Sequence, residues 1–296
     1  MKAIVIGVDG GIGRALTSAL SQRGDVVIGT TRRAAVGIGD LIHLDLAGTQ
    51  VETVSLPRAD VAVICAAMTG LAECRRNTSL SRQVNTVAPA LLARRLTDAG
   101  TRVVFISTNA VYDWQSPLVP ASRPTSPSTV YGEQKADAEA TLAAMGDAVV
   151  ILRLTKVLTP DLGLFNGWIT ALGAGETVQA FTDMHLAPVS LDDAVSALLA
   201  LAGGKESGIF QISGSRDISY SDAALHLARC IGAPLALVRQ TEARKLGFPQ
   251  AEITTFSSLS SERYSQLTGW VAPDPLASLE AVFGPAMAAA RAKAQR

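Results

Sequence analysis

The sequence has little of what marks secreted, membrane and nucleic-acid-binding proteins. Its three cysteines, Cys65, Cys74 and Cys230, show no paired or metal-type spacing, which favours a reducing compartment, and we expect the cytoplasm. The apolar run near the start is only four residues long, and no stretch of about eighteen apolar residues follows, so we expect neither a signal peptide nor a membrane span. Basic and acidic residues both number 26, which excludes the basic excess of a nucleic-acid binder and leaves a small-molecule partner.

Short apolar runs alternate with helix-compatible segments through the first half of the chain. Strands are predicted at 3–6, 25–30, 41–44, 61–65, 102–107 and 148–154. This alternation predicts an α/β protein with a doubly wound parallel sheet of the Rossmann type. We expect a dinucleotide-binding domain at 1–156, to which 187–204 returns. A smaller C-terminal α/β substrate lobe is expected at 157–186 and 205–296.

A glycine-rich turn connects the first strand to the first helix. Glycines at 7, 10 and 13 give the spacing G-x-x-G-x-x-G. Residues without a Cβ allow a pyrophosphate to approach the backbone, and the free N–H groups at a helix N-terminus attract anions. The turn therefore predicts dinucleotide binding, with contacts from Gly7, Gly10, Gly11, Ile12 and Gly13.

The end of the second strand indicates which nicotinamide cofactor binds. NAD sites usually place an acidic residue there for the ribose 2′-hydroxyl, whereas this chain has Thr31, Arg32 and Arg33. Two guanidinium groups pair well with a 2′-phosphate, so we favour NADP(H), with NAD(H) as the other possibility. Asp45, after the third strand, is placed either to meet the adenine edge or to cap a helix.

Tyr131 and Lys135 lie four residues apart on a predicted helix and therefore share one face. An ordinary tyrosine has a pKa near 10, and a neighbouring ammonium is expected to lower it toward a useful acid–base range. The preceding strand ends in Ser107 and Thr108 at the carboxyl edge of the sheet, where such folds bind ligands. The pattern predicts proton exchange with a carbonyl or alcohol oxygen.

Taken together, these motifs resemble the extended short-chain dehydrogenase/reductases. The resemblance rests on the glycine turn, the segment 105–112 and the Tyr131–Lys135 pair, and it continues through 151–157, 187–194 and 208–214. It implies that Thr108, Tyr131 and Lys135 are catalytic. It further implies that Asn85 and the turn after the fourth strand lie against the cofactor; the turn residues are Cys65, Ala66 and Ala67.

Within this family the chain looks most like the dTDP-4-dehydrorhamnose reductase branch, which implies hydride transfer to the 4-ketone of a nucleotide sugar. The chain departs from that branch at Asn109, where those reductases usually carry aspartate. Asn109 and Ala110 also exclude the Asp-Glu pair of the 4,6-dehydratases. A nucleotide-sugar 4-epimerase is the alternative enzyme, and a non-catalytic NADP-binding sensor is the alternative of another class.

The substrate lobe carries the weakest motifs. Candidate substrate contacts are Asn109, Arg153, Lys156 and His185. The histidines at 43, 185 and 226 show no metal-type spacing, so we expect no metal site. The resemblance implies a homodimer formed through the long helices.

Overall fold

The computed structural model describes residues 1–33 and 41–294. The chain divides into two compact units. The first, called the sheet unit below, comprises Met1–Asp113, Ala121–Leu154 and Asp192–Gln211. The second unit comprises Trp114–Pro120, Thr155–Leu191 and Ile212–Arg296.

The strands and helices follow one another closely along the chain. The strands are β1 (Lys2–Ile6), β2 (Val26–Thr31), β3 (Leu41–His43), β4 (Val61–Ile64), β5 (Arg102–Thr108), β6 (Val149–Leu154), β7 (Val157–Leu158), β8 (Val178–Phe181), β9 (His185–Leu186), β10 (Val189–Ser190), β11 (Gly208–Ile212), β12 (Ile218–Ser219) and β13 (Val238–Thr241). The α-helices are α1 (Gly11–Gln22), α2 (Gln50–Thr53), α3 (Leu71–Arg76), α4 (Thr78–Arg82), α5 (Ala88–Asp98), α6 (Val130–Ala143), α7 (Gly163–Gly173), α8 (Leu191–Gly203), α9 (Tyr220–Ile231), α10 (Glu262–Thr268) and α11 (Pro275–Ala294).

A seven-stranded sheet organises the first unit, with the order β11-β6-β5-β4-β1-β2-β3. The strands from β3 to β6 pair in parallel, which gives the Rossmann order 3-2-1-4-5-6. All four residues of β4 are buried, as expected for a strand covered on both faces. The predicted fold class is therefore confirmed, and the six predicted strands lie within one or two residues of their observed bounds.

The core of the sheet unit forms where helices cover the strands. Ile4, Ile64 and Phe105 are almost completely buried and pack in one cluster with Leu92 of α5. Alternate residues of a strand point to opposite faces, so each central strand supplies apolar side chains to both helical layers.

The segment 71–98 is not one continuous helix. It forms α3, α4 and α5, with a π-helical turn at Gln83–Val87 between the last two. π-helical turns are rare and are frequent at functional sites.

The second unit has its own core. Helices α7, α9 and α11 pack around an apolar cluster that includes Phe165, Leu227 and Phe283. Short two-stranded pairings accompany them: β7 with β10, β9 with β12, and β8 with β13. Within residues 1–33 and 41–294, no helix is both long and apolar enough to cross a bilayer.

The two compact units differ from the expected domain boundaries in four segments, of which 155–156 falls in the second unit. Residues 205–211 belong to the sheet unit because β11 pairs with β6. Residues 114–120 belong to the second unit, where Val119 bridges to Leu259 and Trp114 donates its indole N–H to the carbonyl of Ala251. Residues 187–191 also fall in the second unit, since β10 pairs with β7.

Candidate active site and cofactor cleft

A cleft of about 660 Å³ opens at the carboxyl ends of β1, β2 and β4. Open parallel sheets bind ligands at this edge, beside the strand where the order reverses. The sequence-predicted cofactor residues that line it are Gly7, Gly10, Arg32, Arg33, Asp45, Cys65, Ala66 and Ala67. The structure thus brings the glycine turn, the end of β2 and the turn after β4 into one cleft within the sheet unit.

The glycine turn fits a pyrophosphate. Gly7 has φ +94°, and a Cβ there would lie 2.7 Å from the Cβ of Ala66. A Cβ on Gly13 would lie 2.2 Å from the Gly7 carbonyl oxygen, so both positions require glycine for backbone packing. Gly10 differs, because a Cβ there would meet nothing closer than 3.8 Å. It is the N-cap of α1 and, being glycine, has no side chain to cap the N–H groups beside it. This open cradle suits an anion.

A carboxylate that sequence reasoning missed lies among the residues expected to hold the 2′-phosphate. The Thr31 hydroxyl donates to Asp9 Oδ2 at 2.6 Å, and Arg33 Nε lies 3.8 Å from Asp9 Oδ1. Asp9 comes from the glycine turn, not from the strand end where an acidic residue is usually sought. The cleft therefore contains charges of both signs: the positive guanidinium groups of Arg32 and Arg33 and the negative carboxylate of Asp9.

Asp45 and Cys65 also line this cleft. Asp45 accepts the backbone N–H of Ala47 at 3.0 Å and lies five residues before α2, so it lines the cleft and does not cap that helix. Burial raises the pKa of the Cys65 thiol to about 12, which keeps it protonated and unreactive.

Asn85 stands behind the cleft and supports it. It lies in the π-helical turn and is fully buried. Its amide accepts the N–H of Met68 at 2.8 Å and donates to the Met68 carbonyl at 2.9 Å, which fixes the loop after β4. The same amide donates to Gln134 Oε1 at 2.9 Å. Gln134, next to Lys135, was not predicted; its position between the two catalytic candidates was the available signal.

The three catalytic candidates meet at the carboxyl end of β5. Thr108 is its last residue, and Tyr131 lies in the first turn of α6, which Thr129 caps by accepting the N–H of Gly132. The side chains of Thr108 and Tyr131 hydrogen-bond to each other. Lys135 Nζ donates to the Ile106 carbonyl at 2.6 Å. The spacing predicted this grouping, and the structure places all three within the sheet unit.

The pKa of Tyr131 corrects one expectation. Burial raises it well above 10, and the hydrogen bond to Thr108 only partly opposes that rise. Burial thus outweighs the lowering expected from Lys135, and it also lowers the pKa of that ammonium itself to about 7, with Glu139 partly opposing this second shift. Nζ also lies 3.6 Å from the centroid of the Phe105 ring. Tyr131 is therefore a phenol that holds its proton.

The candidate substrate residues fall in different surroundings. Arg153 is buried and engages Glu139, with Nη2 to Oε2 at 2.6 Å, and also Tyr112 and Gln211. Its guanidinium is occupied by internal partners, so the expected diphosphate contact is not supported. Asn109 follows Thr108 and accepts its hydroxyl at 3.3 Å. The other two belong to the second unit: Lys156 is exposed, and His185 has a buried Nδ1 for which the described residues provide no hydrogen-bond partner.

The family model described as the RmlD substrate binding domain matches residues 1–285. The chain belongs to this family. It is 31% identical over 271 residues to dTDP-4-dehydrorhamnose reductase from Streptomyces griseus, covering 88% of this chain and 86% of that one. It is 27% identical over 296 residues to the probable low-salt glycan biosynthesis reductase Agl14 of Haloferax volcanii, covering 96% and 98%.

Solved structures of the RmlD family share the fold. The crystal structure of dTDP-4-dehydrorhamnose reductase from Bacillus anthracis in complex with NADP superposes with a TM-score of 0.83. It has 19% sequence identity and covers 96% of this chain and 99% of that chain. The predicted resemblance to the extended short-chain dehydrogenase/reductases is confirmed.

Proposed function

We propose that this RmlD-family chain is an NADP-dependent reductase that acts on the 4-keto group of a nucleotide sugar. One observation carries the proposal: Thr108, a protonated Tyr131 and Lys135 converge at the carboxyl end of β5, in the unit that contains the phosphate cradle. Three similar relatives are named as reductases, and two of these names specify a dTDP-4-dehydro or dTDP-4-keto sugar.

The chemistry divides between the cofactor and the chain. When bound, the reduced nicotinamide supplies a hydride to the carbonyl carbon. Thr108 donates a hydrogen bond to the substrate oxygen. Tyr131 gives its proton to that oxygen as negative charge develops on it. A raised pKa suits this direction, because the phenol enters the reaction protonated. Protonated Lys135 then stabilises the phenolate that remains.

The cofactor end of the cleft supports NADP(H) and does not exclude NAD(H). Arg32 and Arg33 are placed to pair with a 2′-phosphate. Asp9 is placed to accept a hydrogen bond from a 2′-hydroxyl and to repel a phosphate. We propose NADP(H) as the principal cofactor, with NAD(H) accepted less well.

The test mixes purified protein with NADPH and a panel of 4-keto nucleotide sugars while the absorbance of the reduced cofactor is followed. We expect turnover with at least one sugar and a loss of 10²- to 10⁴-fold, roughly the contribution of a general acid, in Tyr131→Phe. The variant should bind NADPH with unchanged affinity, which separates lost chemistry from lost fold. Tight NADPH binding without turnover in the wild type would contradict a reductase and favour the epimerase or the sensor.

We further propose a cytoplasmic homodimer. The surface of the π-helical turn and α5 supports it, since Val87 and Leu91 are 39% and 36% exposed and lie one helical turn apart. Light scattering after gel filtration tests the dimer. A mass equal to one chain at micromolar concentration would contradict it.

A further inference from the structure

Three metal-binding side chains converge in the second unit, where the proposed reaction uses none of them. His226 and Cys230 lie one turn apart on α9, and Glu280 lies on α11. His226 Nε2 is 2.9 Å from Glu280 Oε1 and 3.5 Å from Cys230 Sγ. All three ligand atoms lie within 4.8 Å of one another. An imidazole, a thiol and a carboxylate thus face a common point.

A single nitrogen, His226 Nε2, faces both Glu280 and Cys230 and cannot bond to both in one neutral tautomer. A neutral imidazole nitrogen carries either one proton or one lone pair. If Nε2 donates to Glu280, it cannot accept the thiol proton of Cys230; if it accepts that proton, it presents a lone pair to a carboxylate. A cation at the common point satisfies all three ligand atoms at once.

The distance between His226 and Cys230 agrees with tetrahedral coordination. Zn–N near 2.0 Å and Zn–S near 2.3 Å place the two ligand atoms about 3.5 Å apart, and His226 Nε2 and Cys230 Sγ are 3.5 Å apart. The nitrogen and the carboxylate oxygen would be roughly 3.3 Å apart by the same geometry, so Glu280 needs to withdraw a few tenths of an ångström. Its side chain is 56% exposed and can do so.

We propose that His226, Cys230 and Glu280 form a zinc-type cation site that links α9 to α11. Mixed nitrogen, sulfur and oxygen ligands select zinc and similar transition metals over magnesium or calcium. A thiolate and a carboxylate neutralise a divalent cation. This neutrality matters because the guanidinium of Arg291 donates to the Cys230 carbonyl and lies beside the site. Water completes the fourth position, as in other sites with three protein ligands.

The site is predicted to stabilise the second unit. Helices α9 and α11 pack on one apolar core, and α11 extends to the end of the described chain. A cation that binds only the folded arrangement raises stability by mass action. Neither the histidine spacing nor the cysteine spacing indicates this site, because its two helical ligands are of different residue types. The His226–Cys230 pair has the four-residue spacing of one helix face.

Cobalt(II) is the probe for the first test, because a thiolate–cobalt bond has a charge-transfer band and four-coordinate cobalt has strong visible bands. Full-length protein is freed of metal with a chelator, kept reduced, and titrated with cobalt. We expect saturation at one equivalent and displacement by zinc. The bands should be lost in Cys230→Ser and kept in Cys65→Ala, the matched cysteine control. No bands at one equivalent, or bands that persist in Cys230→Ser, would overturn the proposal.

Thermal unfolding provides the second test. It uses a variant at an exposed ligand, so that loss of the fold is not mistaken for loss of the metal. Glu280 is exposed, so Glu280→Gln is expected to fold normally and to bind cobalt at least tenfold more weakly. Zinc should raise the Tm of the wild type and should leave that of His226→Ala unchanged. An equal zinc-induced Tm rise in wild type and His226→Ala would show that the cation binds elsewhere and would overturn the site.

Discussion

Asp9 places a negative charge beside the two arginines at the cofactor end of the cleft. Its carboxylate accepts the Thr31 hydroxyl at 2.6 Å and lies near Arg33. Asp9→Asn keeps an oxygen acceptor for Thr31 and removes the charge. We expect the ratio of kcat/KM for NADPH to kcat/KM for NADH to rise by roughly tenfold, about 1.4 kcal/mol, the scale of one screened charge–charge interaction. Initial rates at fixed sugar concentration measure that ratio.

Arg33→Gln is the matched variant, and its effect should have the opposite sign. It removes a cation from the same end of the cleft, so the NADPH to NADH ratio should fall. If both variants change the two cofactors equally, the 2′ position lies elsewhere and the assignment of these residues is wrong.

Lys135 makes a prediction about pH. Its buried ammonium has a pKa of about 7, against 10.5 for a free lysine. The cation is therefore present below pH 7 and lost as the pH rises above it, while the raised pKa of Tyr131 keeps the phenol protonated over the same range. Since kcat/KM reports ionisations of the free enzyme, it should fall about tenfold per pH unit above pH 7.

Lys135→Arg tests the assignment, because a guanidinium stays charged throughout this range. The variant should be slower, and its kcat/KM should lose the decline between pH 7 and 9. A wild-type profile that is flat to pH 9 would show that Lys135 keeps its charge despite its burial.

The π-helical turn at Gln83–Val87 is the element that connects the cleft to the catalytic helix. Asn85 in this turn holds the Met68 backbone on one side and Gln134 of α6 on the other. Asn85→Ala removes these bonds and leaves buried polar groups unpaired, at a cost of about 1–3 kcal/mol each. We expect a lower Tm and weaker NADPH binding, measured by thermal unfolding and fluorescence titration. Unchanged NADPH affinity would show that the turn is structural only.

The same elements show how far sequence reasoning reaches. The strands of the sheet and the glycine turn were predictable because apolar runs and glycine spacing are local signals. The four-residue spacing predicted that Tyr131 and Lys135 share a helix face, whereas the role of Thr108 was implied by the family resemblance. Asp9 and Gln134 were missed because their roles depend on partners in other elements. The burial of Arg153 against Glu139 likewise follows from tertiary packing, which no local pattern contains.

At the scale of the whole molecule, the differences between the expected domain boundaries and the two compact units have a related cause. The chain leaves the sheet unit at 114–120, re-enters it at 121–154 and returns at 192–211. Contacts with distant residues assign each segment to its unit, such as the pairing of β11 with β6 and the hydrogen bond from Trp114 to Ala251. Separate cores follow from this division: Leu92 packs in the sheet unit and Leu227 in the second unit.

These two cores predict separable unfolding. The three tryptophans, Trp114, Trp168 and Trp270, all lie in the second unit, so their fluorescence reports that unit alone, whereas far-UV circular dichroism reports both. Leu227→Ala should cost about 2–5 kcal/mol and lower the urea midpoint measured by fluorescence.

Leu92→Ala should cost the sheet unit a similar amount and leave the fluorescence midpoint unchanged. The predicted cofactor contacts all lie in the sheet unit. Saturating NADPH should therefore offset the stability lost in Leu92→Ala by mass action, and it should not restore the stability lost in Leu227→Ala. If fluorescence and circular dichroism give one common midpoint in both variants, and NADPH raises both equally, the two cores unfold as one and the prediction is wrong.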